Sequence, residues 1–337
     1  MRVAARDADA VDGLEFADLL AATPGAEMER ARAAVGPDTS AKFLLTFGST
    51  GRPKAVINTQ RMICANQTML AQAFPFLDWA PPVPLDWLPW SHTFGSNHNF
   101  GVALTHGGTF RLDAGRPMPG GIEETIANLC EVAPTVYFNV PKGFEALLRH
   151  LEVDARLRAK FFSRLQMLFC AGAGLSPEIF HACRAMAKRE TGRDMPLVTG
   201  LGATETSPSA LMCRLDVDGP GNIGLPMAGV ELKLAPGKLE ARVRAPSVTP
   251  GYWRDDELTR QAFDEEGFFA SATLCASPRP ATLRGASCST AASPRISSWR
   301  PAPGSVSGHC APRSSRRWRR SPKTPPSPAM TATTSRR

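Results

Sequence analysis

Acidic side chains are missing from the last fifth of the chain: the 67 residues from Ser271 to Arg337 hold twelve Lys+Arg and no Asp or Glu. The formal net charge of +8 therefore misdescribes the remainder, because the first 270 residues carry 27 basic against 31 acidic side chains, a net −4. A globular body that binds nucleic acid through bulk positive charge is excluded. No stretch reaches the roughly 18 uninterrupted apolar residues of a membrane span. The opening, MRVAARDADAVDGLEF, has no apolar core behind its charges, so a secretory leader is not read and a cytoplasmic chain is expected. The eight cysteines lie far apart with no CxxC pair, which argues against a zinc site and a disulfide scaffold. The GxxxxGK[ST] spacing of a P-loop is absent as well.

What is present is a 337-residue chain, 43% hydrophobic, with room for about two domains. Apolar spacing predicts helices over 14–22, 26–35, 58–74, 98–106, 121–132, 142–150, 155–163 and 176–190. Short apolar runs predict strands over 42–46, 108–112, 135–139, 166–170 and 196–199. Strands alternating with helices imply βαβ units, hence an α/β fold with a mainly parallel sheet and flanking helices. From Gly221 the texture changes, and alternation over 230–234 and 239–243 around Pro236-Gly237 predicts a hairpin. The expected divisions are an α/β domain over 1–214, a small β-rich subdomain over 215–271 and a disordered tail over 272–337. That tail holds ten of the thirty prolines and thirteen serines and cannot bury enough apolar surface to offset its chain entropy.

LLTFGSTGRPKAV, residues 44–56, places three hydroxyls, two glycines and a lysine behind an apolar run. Such a turn exposes backbone N–H groups, and with the hydroxyls and Lys54 it forms a cradle for phosphate oxygens; a solvated turn is the plain alternative. Thr46-Phe47-Gly48-Ser49-Thr50-Gly51-Arg52-Pro53-Lys54 resembles the phosphate loop of the adenylate-forming, or AMP-binding, superfamily, usually TSGSTGxPKG. Phe47 stands for a small hydroxyl residue there and Ala55 for a glycine. That superfamily comprises acyl-CoA synthetases, luciferases and the adenylation domains of peptide synthetases. The resemblance implies that Thr46, Gly48, Ser49, Thr50, Gly51 and Lys54 grip the β- and γ-phosphates of ATP while a carboxylate attacks the α-phosphate. FCAGAGLSPEIF, residues 169–180, is similar to the segment beside the adenine, which makes Ala171, Gly172 and Ala173 candidates for the base edge. GLGATETSP, residues 200–208, resembles the YGxTE motif. By that resemblance Gly200, Leu201 and Gly202 line the ligand, Thr204 meets the α-phosphate and Glu205 holds Mg²⁺, a hard cation suited to carboxylate and phosphate oxygens. Leu201 replaces the aromatic residue that commonly stacks on adenine. The likeness covers about residues 42–269.

DWLPWSHTFGSNHNFGVAL, residues 86–104, sits where the superfamily places an LPxxHxxG segment beside the acyl pocket, so His92 and Phe94 border the acid by resemblance, His92 orienting or gating its carboxylate. The spacings of His92, His98 and His106, six and eight, match no helical metal-ligand pair; a packed histidine without chemistry is the open alternative for His92. With INTQRMICANQTM after the phosphate loop, this stretch is most similar to feruloyl-CoA synthases, ligases for hydroxycinnamates. The implied partner is thus a small, aromatic carboxylic acid, with CoA as co-substrate. After Phe269 the superfamily places a ribose-binding aspartate; here stand Ala270, Ser271, Ala272 and Thr273. Neither a hinge nor a C-terminal lysine domain follows, and only 45 residues precede the phosphate loop. The expectation is a truncated chain, frameshifted after about Phe269 and impaired in catalysis, and translation of the neighbouring reading frame checks it. A catalytically dead nucleotide-binding remnant is one alternative. A basic tail that binds nucleic acid, with Trp299 and Trp318 stacking bases, is another, tested by filter binding over a salt series.

Overall fold

The computed structural model describes residues 3–5, 13–47, 53–213, 222–235, 240–274 and 295–296. At its start β1 (Val3–Ala5) runs parallel to β2 (Gly13–Glu15), and two short helices follow, α1 (Phe16–Ala21) and α2 (Ala26–Ala33). α2 buries none of its side chains.

β3 (Ser40–Phe47) and β4 (Pro53–Thr59) then form an antiparallel hairpin in which Lys42 faces Asn58, Leu44 faces Val56 and Thr46 faces Lys54. The sequence reading began a helix at Asn58. Instead Asn58 and Thr59 stay extended as the end of β4, continuing the strand of Val56 and Ile57, whose branched side chains suit a pleated surface; Val56 and Asn58 are fully buried there. α3 (Gln60–Ala73) starts one residue after Thr59, whose hydroxyl accepts from the Met62 N–H at 3.3 Å.

A 3₁₀ turn (Pro75–Asp78) leads to β5 (Leu85–Asp86), which runs parallel to β6 (Arg111–Leu112). Between them a π-helical segment, Phe94–Phe100, continues into α4 (Gly101–Thr105). The βαβ expectation is met next: α5 (Ile122–Glu131), β7 (Val136–Asn139), α6 (Pro141–Val153), α7 (Ala155–Phe162), β8 (Met167–Cys170), α8 (Pro177–Thr191) and β9 (Leu197–Gly202). Strands β7, β8 and β9 are parallel neighbours. Alternation divides their side chains between two cores. Tyr137, Leu168, Cys170 and Leu197 pack against the buried stripes of α6 and α8, while Val136, Phe138, Met167, Phe169 and Val198 pack against Leu70 of α3 and Phe94. α8 opens with Ser176 capping the Ile179 N–H and closes at Gly192, whose φ of 70° is the left-handed C-terminal conformation that glycine adopts without penalty.

β10 (Ser209–Met212) turns back antiparallel to β9, and β11 (Leu225–Pro226) lies on its outer edge. Gly202 is required at this corner, since a Cβ there would overlap the Pro208 carbonyl. The expected β-rich subdomain is an antiparallel sheet in the order β14 (Phe269–Leu274), β13 (Glu240–Arg244), β12 (Glu231–Leu234) and β15 (Arg295–Ile296). Its core joins Leu211, Leu232, Ala241, Val243 and Phe269. α9 (Asp256–Ala262), capped by the Asp255 side chain, was not anticipated. Within the expected tail over 272–337, β14 runs on to Leu274 and Arg295–Ile296 pairs with β12. The other residues of that expected tail lie outside the described ones. No helix among the described residues is long and apolar enough to cross a membrane.

Candidate active site

Lys54 and Glu205, predicted 151 positions apart in sequence, meet in space: Lys54 Nζ lies 3.7 Å from Glu205 Oε1. Lys54 enters from β4 at the end of the hairpin next to the Phe47–Pro53 connection. Glu205 comes from a 3₁₀ turn, Thr204–Thr206, that links β9 to β10. A third group joins them. Tyr252 donates its phenol to Glu205 Oε1 at 2.9 Å and accepts from Lys54 Nζ at 3.3 Å, with the ammonium 4.8 Å from the ring centroid. Burial, and then the Glu205 carboxylate, raise the Tyr252 pKa above its ordinary value, so the phenol keeps its proton. Tyr252 is delivered by the strand-like run after β13: Trp253 N–H bonds Ala55 at 2.8 Å, Ile57 N–H bonds Gly251 at 3.1 Å, and Thr249 N–H bonds the Glu205 carbonyl at 2.8 Å. One backbone stretch thereby fixes both sides of the ion pair. This tyrosine is not among the residues the sequence singles out, since no spacing rule links positions 205 and 252.

Thr46, cross-strand from Lys54, has a buried hydroxyl with no hydrogen-bond partner among the described residues. Thr204 and Glu205 are 8% and 7% exposed. Gly48, Ser49, Thr50 and Gly51 lie outside the described residues; the hairpin register places them in the connection between Phe47 and Pro53. Ala171, Gly172 and Ala173 leave the C-terminal end of β8 beside the corresponding end of β9, the usual ligand side of a parallel α/β sheet. Gly172 takes φ of 89° there. Gly200 and Gly202 serve close backbone approach to Leu211 and Pro208, and Leu201 packs on the core of the β-rich sheet.

His92 is exposed, and its Nδ1 accepts the Phe94 N–H at 3.2 Å. That bond places the neutral ring's proton on Nε2, and partial desolvation holds the pKa below the usual histidine value. Phe94 is only 4% exposed and belongs to the second core, against Phe169 and His98. The His92 turn is tied to the other two segments by Asn97, whose Nδ2 donates to Asn58 Oδ1 at 2.7 Å and Thr93 Oγ1 at 3.2 Å and lies 3.4 Å from Ser207 Oγ. Ser207 is fully buried with φ of 69°, a left-handed conformation that costs a non-glycine residue roughly 1–3 kcal/mol and persists only where its surroundings enforce it.

No cluster of three or more His, Cys, Asp or Glu among the described residues could cage a metal. Magnesium held through one carboxylate plus phosphate oxygens fits better. Both protein contacts of Glu205 fall on Oε1, which leaves Oε2 without a partner among the described residues. Among the described residues the arrangement therefore offers a lysine, a cross-strand hydroxyl without a partner and a half-committed carboxylate.

The sequence profile of the AMP-binding enzyme family matches residues 4–253. The chain is 27% identical to 3-hydroxybenzoate--CoA ligase of Aromatoleum sp. (strain CIB) over 80% of its own length and 50% of that protein. It is 29% identical to feruloyl-CoA synthase of Amycolatopsis sp. over 70% of its length and 47% of that protein. A solved malonyl-CoA ligase with methylmalonyl-CoA and AMP bound superposes with a TM-score of 0.59 at 25% identity, covering 70% of this chain and 50% of that one. The chain thus spans about half the length of these relatives. With Lys54 and Glu205 converging from the two motifs that first signalled it, and with the profile running across both, this chain belongs to the AMP-binding enzyme family.

Proposed function

We propose that this chain supplies the ATP-gripping site of an ATP-dependent acyl-CoA synthetase that activates a small carboxylic acid, a hydroxycinnamate such as ferulate. The observation that carries the reading is the Lys54–Glu205–Tyr252 constellation at the connection end of the β3–β4 hairpin. In the reaction an acid oxygen bonds to the α-phosphorus of ATP, the bond to the bridging oxygen breaks, and pyrophosphate leaves with the electron pair. The thiol of CoA then attacks the acyl carbon and AMP departs, the thiol proton passing to solvent. Lys54 stabilises phosphate charge, Thr46 offers its unpaired hydroxyl to a phosphate oxygen, and Thr204 borders the α-phosphate. Glu205 holds Mg²⁺ through its free oxygen, and the bound ion supplies charge neutralisation on the phosphates. His92, neutral with its proton on Nε2, donates to the acid carboxylate and orients it for attack.

The test is pyrophosphate release by the full chain with ferulate, against no-acid and octanoate controls. Ferulate-dependent release well above both is expected, and equal release with octanoate would remove the aromatic assignment. A second reading, binding without turnover, is favoured by one observation: β14 carries Phe-Ala-Ser-Ala-Thr-Leu, with no carboxylate where the resemblance sets the ribose ligand. Calorimetric ATP binding without pyrophosphate release would select it.

A further inference from the structure

Asn97 is 2% exposed and stands where three segments of the site meet. Its Nδ2 donates to Asn58 on β4 at 2.7 Å and to Thr93 beside His92 at 3.2 Å, and it reaches Ser207 Oγ at 3.4 Å. Its backbone carbonyl accepts from Gln67 Nε2 of α3 at 2.6 Å. Asn58 Oδ1 also accepts from Ser207 Oγ at 3.4 Å, which closes a ring of side-chain contacts among Asn58, Asn97 and Ser207. An amide nitrogen carries two hydrogens for these three acceptors, so the Nδ2 end is fully committed to its neighbours, while Oδ1 is buried without a partner among the described residues. None of these residues touches Lys54 or Glu205 through its side chain. Ser207, however, ends the turn that carries Thr204 and Glu205, and it does so in the left-handed region with no glycine to relax it.

We propose that Asn97 is a positioning residue of the nucleotide site: its amide holds the left-handed turn at Ser207 against β4, and so keeps Thr204 and Glu205 in register with Lys54. The backbone of residues 249–253 already joins β4 to the Glu205 carbonyl, and the side-chain ring adds the π-helical turn and Ser207 to that link. The nucleotide readout rests on the function proposed above; the link itself does not. A purely space-filling Asn97 makes a different prediction, because glycine takes φ of 69° freely. If Asn97 holds a strained turn, Ser207→Gly relieves the strain and recovers part of what Asn97→Ala loses. If it only fills space, the two effects multiply independently.

The experiment compares four full-length proteins, wild type, N97A, S207G and N97A/S207G, by calorimetric MgATP binding and by hydrogen exchange. The reporter amides are those of Thr206 and Ser207, which bond the Ala203 and Thr204 carbonyls at 3.0 and 3.4 Å. N97A is expected to weaken MgATP binding about tenfold and to speed exchange at both amides by a similar factor. S207G in the N97A background is expected to recover about threefold of that loss. Binding by N97A within twofold of wild type, or an absence of coupling in the double variant, overturns the proposal. Should wild type itself not bind MgATP, the proposed function falls, and exchange alone decides the link, unchanged rates in N97A overturning it. Should N97A not fold, S207A removes only the hydroxyl of the ring; it is expected to move both readouts in the same direction, about threefold, and unchanged readouts overturn the link.

Discussion

The phenol of Tyr252 stands between an ammonium and a carboxylate, donating to one and accepting from the other. Tyr252→Phe keeps the ring over Lys54 and removes both hydrogen bonds. A bond to a charged acceptor contributes about 1.5–3 kcal/mol, and Glu205 is 7% exposed, so little is lost to solvent screening. The variant is expected to lower the urea midpoint by the equivalent of about 2 kcal/mol with an unchanged slope. A midpoint equal to wild type would mean that the phenol is hydrated rather than bonded. Thr46 gives the opposite expectation. Its hydroxyl is buried without a partner among the described residues, so Thr46→Val exchanges a desolvated polar atom for a methyl group of the same size. Stability of the ligand-free chain is expected to stay level or rise by up to about 1 kcal/mol, while MgATP binding weakens severalfold. A large loss of stability would show that the hydroxyl already has a partner.

Two buried groups on neighbouring elements pull the pH dependence in opposite senses. Asp86 on β5 is 2% exposed, and burial raises its pKa from 3.8 to about 6, assisted by nearby Asp113 and opposed by the Asn99 amide at 3.0 Å. His98 in the π-helical segment is 1% exposed, and burial lowers its pKa from 6.5 to about 4; its ring bonds the other end of Asn99 at 2.8 Å. Between pH 4 and 6 the unfolded chain has released the Asp86 proton while the folded chain keeps it, so this group alone makes stability fall as pH rises. Over nearly the same range the unfolded chain binds a proton at His98 that the folded chain refuses, so this group alone makes stability rise with pH. Each effect is about 3 kcal/mol, and the two nearly cancel. Asp86→Asn is expected to unmask the histidine, with stability dropping by about 3 kcal/mol more than wild type between pH 6.5 and pH 4. His98→Gln is expected to show the reverse, and parallel pH profiles for all three proteins would contradict the linkage. Sequence alone revealed some of these elements and concealed others for physical reasons. TVYFN and QMLFC are short, mostly apolar runs between helices, the pattern of strands buried on both faces, and they form β7 and β8 as expected. β4 escaped because its inward positions, Lys54 and Asn58, are polar for the sake of the site, which erases the alternation. The π-helical segment escaped because Gly95, Asn97 and Asn99 interrupt any apolar period, yet those amides carry the polar ring and the Asp86–His98 link.

For the molecule as a whole, the phosphate-loop and TE motifs were readable because each is local, and Lys54 of the one lies 3.7 Å from Glu205 of the other. Tyr252, Asn97 and Ser207 were not readable, because their roles exist only after β4, the π-helical segment and the turn beyond β9 are brought together. The chain covers 70% of its own length and half of the superposed malonyl-CoA ligase, and the family profile ends at residue 253 beside Tyr252. The account stands on a nucleotide site built by these described residues. Calorimetric titration of the full chain, K54M and E205Q with MgATP tests it most directly. Saturable binding by the full chain, weakened at least about tenfold in both variants, is the predicted result. No binding, or equal binding by all three, would reduce the Lys54–Glu205 pair to a structural ion pair and contradict the account.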